Sequence, residues 1–154
     1  MNGSVGFFVI LLVIAVLLVL AFSENLKPKR EYGVKSVTAR GEEVRSIAER
    51  KIADYFNKNN INYEYESMVA TNKGFASSPD FYLPDYDVYV EYWGLIDAED
   101  DQTRNRYIKK MKWKMAQYYE NNIKFISIYP DNLKNLDWIF RKKFKNVTGF
   151  ELPA

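Results

Sequence analysis

The spacing of apolar residues predicts three helices in the chain after residue 37. Apolar positions recur at helical spacing over residues 38–57, with Thr38 as the candidate N-cap and Asn59-Asn60 as the end of the helix. A second helix is predicted over residues 103–121. A third helix is indicated by apolar residues at Leu133, Leu136, Ile139, Phe140 and Phe144.

Short runs of alternating or continuous apolar residues between these helices predict four strands. They cover residues 62–68, 80–83, 87–92 and 124–129, with a turn at residues 71–74. The order is therefore α-β-β-β-α-β-α, which predicts an α/β domain with a mixed four-stranded sheet flanked by helices. The link through the second helix is long enough for a parallel crossover. Because the fourth strand is apolar apart from Lys124 and Ser127, we expect it to be buried and central.

The N-terminal part of the chain has a different pattern. Residues 5–22 are apolar and uncharged, and as a helix they would span about 27 Å, enough for one transmembrane anchor. Lys and Arg residues follow this run, which predicts a cytoplasmic C-terminal domain. Residues 23–37 are a polar tether, and residues 38–154 form the predicted domain. The alternative is a signal peptide cleaved near Ser23, which would make the protein secreted.

Composition limits the available chemistry. The 154 residues include no cysteine and no histidine, so disulfides, thiolate metal sites, Ser-His triads and most zinc sites are excluded. Carboxylate, lysine and tyrosine groups remain, and oxygen ligands suit a hard cation such as Mg²⁺. The net charge is only +2, but the positive residues are clustered.

Two carboxylates are the strongest candidates for a site. Asp80 opens the second predicted strand and Glu91 ends the third. If these strands pair antiparallel through the turn near Pro84-Asp85, both carboxylates lie at one end of the sheet. Neighbouring buried carboxylates repel each other unless a cation lies between them. Such a pair is typical of a Mg²⁺ site that hydrolyses phosphodiesters, and a nuclease is the leading hypothesis. The alternative for Glu91 is a structural ion pair with a Lys or Arg of the next helix.

Glu49 and Lys114 are the next candidates. Glu49 lies on the apolar stripe of the first helix, where it either points at the site or reaches out from the edge of the stripe. Lys114 shares a helix face with Met111, Met115 and Tyr118 and would supply positive charge near the attacking water or the scissile phosphate. The alternatives are a surface lysine for Lys114 and a core position for Tyr118.

The clustered basic residues are candidate phosphate contacts. They are Lys109, Lys110 and Lys112 on the second helix and Arg141 and Lys142 on the third. Such residues would contact nucleic acid without reading its sequence, and the alternative is a solvated helix face.

The ordered motifs around these residues resemble the PD-(D/E)XK nuclease superfamily, in its very-short-patch-repair-like and helicase-associated branch. The matching segments are Ser46-x-x-Glu49-x-x-Ile52-Ala53, Ile61-x-Tyr63-x-Tyr65-Glu66, Pro79-Asp80-Phe81-Tyr82-Leu83-Pro84, Val90-Glu91-Tyr92-Trp93-Gly94, Met111-x-Trp113-Lys114 and Ile126-x-Ile128-Tyr129-Pro130. The resemblance implies a restriction-endonuclease-like core. It also implies a Mg²⁺ site at Asp80 and Glu91 aided by Glu49, in which Mn²⁺ can substitute.

One position departs from the family pattern. The family usually has a lysine two positions after the strand acid, where this chain has Trp93. The resemblance implies that Lys114, from the following helix, takes that role. The resulting expectation is a membrane-tethered, metal-dependent endonuclease acting on nucleic acid, with DNA as the expected substrate. The alternative is a catalytically degenerate module that binds nucleic acid or a protein partner at the membrane.

Overall fold

The computed structural model describes residues 33–71 and 74–152, together with Val13. The described residues after Val13 belong to one compact unit, Glu31–Ala154. Apart from Val13, the predicted anchor, residues 5–22, and most of the predicted tether therefore lie outside the described residues. Within the described ranges no helix combines the length and apolar character needed to cross a membrane.

The domain is built from short strands and three α helices in the part of the chain that the structure describes. The strands are β1 (Ser36–Val37), β2 (Glu43–Val44), β3 (Glu64–Tyr65), β4 (Val69–Ala70), β5 (Ala76–Ser77), β6 (Phe81–Leu83), β7 (Val88–Tyr92) and β8 (Phe125–Ile128). The helices are α1 (Ile47–Lys58), α2 (Asp101–Glu120) and α3 (Leu136–Thr148), and a 3-10 turn at Pro130–Asn135 leads into α3.

Four of these strands form the central mixed sheet in the order β3-β6-β7-β8. β6 pairs antiparallel with β3 and β7, whereas β8 pairs parallel with β7 after the crossover through α2. The predicted mixed four-stranded sheet and three helices are confirmed. When only the strands of this sheet are counted, the order is α-β-β-β-α-β-α, as predicted. The predicted central position of the fourth strand is wrong, because β8 is an edge strand of the described sheet. Its apolar sequence instead reflects side chains buried on both faces of the sheet.

Side chains alternate along each strand and supply two separate cores. One core joins the inward residues of β6, β7 and β8 to α1 and α3, as when Phe81 packs edge-on against Phe56 with ring centroids 5.4 Å apart. The smaller core contains Val69, Phe75, Tyr118 and Phe125, and lies on the α2 side. Helices α1 and α3 therefore cover one face of the sheet and α2 covers the other.

The first helix begins later than the apolar spacing predicts. Residues 36–44 form a hairpin of β1 and β2, and Gly41 in its connection has φ = 84°, a conformation that favours glycine. Thr38 lies in this hairpin, where its Oγ1 accepts a hydrogen bond from the Glu42 amide at 3.2 Å. The prediction of Thr38 as N-cap is therefore wrong. Ser46 is the N-cap of α1, and its side chain accepts from the Glu49 amide at 3.1 Å.

A second hairpin, formed by β4 and β5, was not predicted. Where the sequence predicts a turn over residues 71–74, the Gly74 amide donates a hydrogen bond to the Thr71 carbonyl at 3.0 Å. The strands on either side have two residues each, too few for a clear alternation of apolar residues. This hairpin contributes Val69 and Phe75 to the core under α2.

Candidate functional site

Asp80 and Glu91 face each other across neighbouring strands, as the sequence predicts. Phe81 pairs with Val90, so continuing the antiparallel register by one residue places Asp80 opposite Glu91. Phe81 and Val90 point into the core beneath α1 and α3. By alternation, Asp80 and Glu91 both project toward α2. Asp80 Oδ2 accepts a hydrogen bond from the Tyr92 amide at 2.6 Å, which fixes one of its oxygens.

Glu91 is held by two side chains of α2. Its side chain is 3% exposed, and Lys114 Nζ lies 2.5 Å from Glu91 Oε1. The Tyr118 hydroxyl donates to the same oxygen at 2.5 Å and lies 3.4 Å from Ser77 Oγ. Lys114 Nζ also donates to the Ser78 carbonyl at 3.2 Å. The ion pair that stood as the alternative for Glu91 is thus present, and its partner is the candidate cation Lys114.

The two carboxylates are difficult to ionise together. Burial, the Glu91 charge and the Glu49 charge raise the pKa of Asp80 from 3.8 to about 8, against the opposing effects of the Tyr92 amide and Lys114. Burial also raises the pKa of Glu91, although Lys114 and Tyr118 favour its charged form. A site with this electrostatic character gains stability from an additional cation.

Two tyrosines of α2 remain protonated beside the carboxylates. Burial and the charge of Glu91 raise the pKa of Tyr118. Burial and the charges of Asp80 and Glu91 raise the pKa of Tyr107, whose hydroxyl donates to the Tyr92 carbonyl at 3.5 Å. Both phenols therefore act as hydrogen-bond donors at neutral pH.

Trp93 lies in the wall of this site. Its side chain is 5% exposed, and its indole Nε1 donates to Ser127 Oγ at 2.9 Å. Lys114 Nζ is 5.9 Å from the centroid of the Trp93 ring. The ammonium group of Lys114 therefore reaches the neighbourhood of the position where the resemblance expects a lysine side chain.

Glu49 is close to the site, but both of its carboxylate oxygens are engaged by residues around the start of α1 and by Tyr65 of β3. Its Oε1 accepts from Ser46 Oγ at 2.8 Å, and its Oε2 accepts from the Tyr65 hydroxyl at 2.6 Å and the Arg45 amide at 3.1 Å. In the ranges that the structure describes, no three acidic side chains form a group that could hold a metal ion. The structure therefore brings together Asp80, Glu91 and Lys114 and leaves Glu49 outside the immediate cluster.

The pair of carboxylates suits a magnesium ion that keeps several water ligands. Mg²⁺ is often held by only one or two carboxylates together with waters and substrate phosphates. Among the described contacts, Asp80 Oδ1 and Glu91 Oε2 take part in no hydrogen bond or ion pair, while the other oxygen of each group is engaged. Burial raises the pKa of both carboxyl groups, and the charge of Glu91 raises the pKa of Asp80 further, which favours a cation at this position.

The predicted phosphate contacts divide between the two faces of the sheet. Lys109, Lys110 and Lys112 are exposed on α2, the helix that carries Lys114. Arg141 donates to Asp137 Oδ1 at 2.8 Å and to other groups of the domain, so it is a structural residue of α3. Lys142 is exposed, but it lies over the Trp138 ring on α3, across the sheet from the two carboxylates.

Two groups of site residues were missed by the sequence prediction. Tyr107 lies on the helix face of Lys114 and Tyr118, at a spacing that could have identified it. Ser77 and Ser78 reach Tyr118 and Lys114 from the end of the β4–β5 hairpin. That contact depends on a tertiary arrangement for which the sequence has no periodic signature.

No protein-family model matches this sequence, and neither the curated proteins nor the solved structures contain a match to the chain.

Proposed function

We propose that the domain is a metal-dependent nuclease that hydrolyses phosphodiester bonds in nucleic acid, with DNA as the expected substrate. The observation that carries this proposal is the opposition of Asp80 and Glu91 beside the ammonium group of Lys114. The resemblance to the PD-(D/E)XK superfamily supports the same assignment, because Asp80, Glu91 and Lys114 match its motif positions.

Asp80 and Glu91 would hold Mg²⁺, or Mn²⁺ in its place, through the oxygens that are not engaged in hydrogen bonds. A bound divalent cation supplies Lewis-acid polarisation of the phosphate and lowers the pKa of a coordinated water. Tyr118 and the Tyr92 amide orient the two carboxylates by occupying the remaining oxygens. Glu49 stabilises the start of α1 next to the site.

Lys114 would contribute fixed positive charge. Its ammonium group lies beside Glu91, where a phosphate bound at the carboxylate pair would also lie. Charge fixed in this way stabilises the negative charge that develops on the phosphate oxygens in the transition state. The same ammonium group neutralises buried Glu91 before a cation binds.

The test uses the full-length chain in nonionic detergent with single-stranded DNA, duplex DNA and RNA, in Mg²⁺, Mn²⁺ or EDTA. We expect cutting that requires metal and falls by at least a hundredfold in Asp80→Asn and Glu91→Gln and in Lys114→Met. Lys142→Met is the matched control, because Lys142 is exposed on α3, across the sheet from the two carboxylates. Cutting that survives EDTA, or that persists in Glu91→Gln, would refute the proposal.

A module that binds without cutting is the second candidate, and Trp93 is the observation that favours it. The indole occupies the position of the family lysine and is buried against Ser127, so no lysine side chain starts from the sheet at this point. Folded protein that binds nucleic acid but cuts none of the substrates in either metal would favour this candidate over the nuclease.

A further inference from the structure

Helix α2 carries an unusual concentration of positive charge next to the site. Between Asp101 and Glu120 the helix contains no carboxylate, but it contains six cationic residues, Arg104, Arg106, Lys109, Lys110, Lys112 and Lys114. Lys114 is turned toward Glu91. Lys109, Lys110 and Lys112 are exposed, as is Arg106. This part of α2 therefore presents an excess of positive charge that suits a polyanion.

Three of these cations share a helix face with an exposed tryptophan. Arg106, Lys109, Lys110 and Trp113 are spaced at i, i+3, i+4 and i+7, so they form one ridge, here called the α2 ridge. Lys114 is the next residue after Trp113, and Lys110 lies one helical turn before Lys114. The α2 ridge thus borders the helix face that lines the carboxylate site.

Trp113 is exposed but supported from one side. It is 61% exposed, and its ring meets the ring of buried Phe75 at 64° with centroids 6.2 Å apart. This contact restricts the indole while leaving much of its surface in water. A large exposed aromatic side chain among cations is typical of a surface that stacks on nucleic-acid bases and binds their phosphates.

We propose that the α2 ridge binds an unpaired strand of nucleic acid, with Arg106, Lys109 and Lys110 on the phosphates and Trp113 stacked on a base. The inference rests on the proposed function, because it names the substrate class of the same site. Bases within a duplex are already stacked on their neighbours, so an indole on a helix surface has access only to an unpaired base. The substrate is therefore single-stranded nucleic acid, or a locally unpaired segment.

The test measures binding separately from cutting. The full-length chain in nonionic detergent and EDTA is titrated into labelled 20-nucleotide single-stranded DNA, RNA of the same sequence, and the matching DNA duplex, and fluorescence anisotropy is recorded. We expect a lower Kd for a single strand than for the duplex. Trp113→Ala is expected to raise the single-strand Kd about tenfold, the loss of one stacked base, and to leave the duplex Kd nearly unchanged. The DNA and RNA arms identify which single strand is preferred.

The matched control is Trp138→Ala on α3. Trp138 is also exposed, at 65%, and also lies beside a lysine, but it is on the other side of the sheet. We expect this variant to bind as the wild type does. Trp113→Phe retains an aromatic face and should restore most of the affinity. Equal losses in Trp113→Ala and Trp138→Ala, or a wild type that binds duplex at least as tightly as single strands, would overturn the inference.

The salt dependence of binding tests the cationic residues of the α2 ridge. Lys109→Gln and Lys110→Gln should each reduce the slope of log affinity against log salt concentration by about 0.7 for single strands, whereas Lys142→Gln should not. Slopes that do not change in the α2 variants would contradict the phosphate contacts. Binding of single strands without any metal-dependent cutting would sink the proposed nuclease and leave this inference in place. Metal-dependent cutting with a preference for duplex would support the proposed nuclease and contradict this inference.

Discussion

Glu91 is a buried carboxylate whose charge is balanced through one of its two oxygens. Lys114 Nζ and the Tyr118 hydroxyl both approach Oε1 at 2.5 Å. A buried carboxylate without partners would cost several kcal/mol, so these two side chains are needed for folding whatever the domain does. They also hold the side chain in one orientation. The same contacts therefore serve stability and the arrangement of the proposed site.

Removing Lys114 should destabilise the protein in a pH-dependent way. We expect Lys114→Met to lower the free energy of unfolding by about 3 kcal/mol at pH 8, because a buried charge loses its partner. The decrease in the free energy of unfolding should be smaller at pH 5. Burial already raises the pKa of Glu91, and without the lysine this carboxyl binds a proton more readily as the pH falls. Urea denaturation at both pH values measures the effect.

Lys112→Met is the control for this measurement, because Lys112 is exposed on the same helix. It should change the free energy of unfolding by no more than about 0.5 kcal/mol. A loss for Lys114→Met that is equal at pH 5 and pH 8 would show that the ion pair does not set the stability at this position.

Asp80 should make the metal-free protein less stable as the pH rises. Burial and the neighbouring carboxylates raise the pKa of Asp80 from 3.8 in the unfolded chain to about 8, so the folded state binds the extra proton between these values. Its contribution to stability is present below about pH 4 and is lost as the pH rises through about 8. Asp80→Asn keeps an acceptor for the Tyr92 amide and removes the titration. In EDTA at pH 8 this variant should be more stable than the wild type. The measurement is the temperature of thermal unfolding of the two proteins.

If Asp80 and Glu91 hold magnesium, the ion should restore part of the stability that the metal-free protein loses as the pH rises. We expect millimolar Mg²⁺ to raise the unfolding temperature of the wild type more at pH 8 than at pH 5, since cation binding requires deprotonated carboxylates. Asp80→Asn should show little of this effect. An equal shift in the wild type and in Asp80→Asn would place the cation elsewhere on the protein.

The position of Asp80 opposite Glu91 could be predicted from the sequence, because one short turn between two apolar strands leaves little choice of register. The sequence was insufficient for Glu49. The helical stripe places Glu49 on the buried side of α1, but its hydrogen bonds depend on Tyr65 and on the true start of the helix. The apolar stripe shows on which face of α1 Glu49 lies. Tertiary packing decides which groups its carboxylate contacts.

At the level of elements, the start of α1 offers a direct test of Ser46 and Glu49. Ser46→Ala removes the side-chain cap and should lower the free energy of unfolding by about 1 kcal/mol, whereas Ser46→Thr should retain most of the stability. Glu49→Gln should also reduce stability but should lower nuclease activity far less than Glu91→Gln. Urea denaturation and cleavage rates measured on the same preparations separate the two effects. A loss of activity as large as that of Glu91→Gln would restore Glu49 as a metal ligand.

The elements that the sequence misplaced are the shortest ones. β1 lies in the predicted tether, whereas β2 and the connection that precedes it occupy the region predicted as the first turns of α1. Only Gly41 and the Ser46-x-x-Glu49 spacing indicate a later start. By contrast, the ends of α1 and α2 were predicted closely. Each helix ends at an Asn-Asn pair, and the second residue, Asn60 or Asn122, adopts a positive φ near 55°.

At the scale of the whole molecule, the sheet separates a structural side from the candidate functional side. Large aromatic residues fill the core under α1 and α3, where Phe56 and Phe140 pack with ring centroids 5.2 Å apart. The side chains on the α2 side are more polar and include Asp80, Glu91 and Lys114. Variants on the α3 face are therefore suitable controls for binding and cutting experiments, because they change the same residue types across the sheet from the site.

The N-terminal run sets where this domain would act. We propose that residues 5–22 anchor the chain in a membrane with the domain in the cytoplasm, since the run is uncharged and Lys27, Lys29 and Arg30 follow it. The full-length protein should then sediment with membranes, resist alkaline extraction and begin at Met1. Introducing Arg at Leu12 and Leu18 together should release it, because each charge at the middle of a span costs about 3 kcal/mol. A mature protein that begins at Glu24 in the medium would instead establish a cleaved signal and a secreted domain.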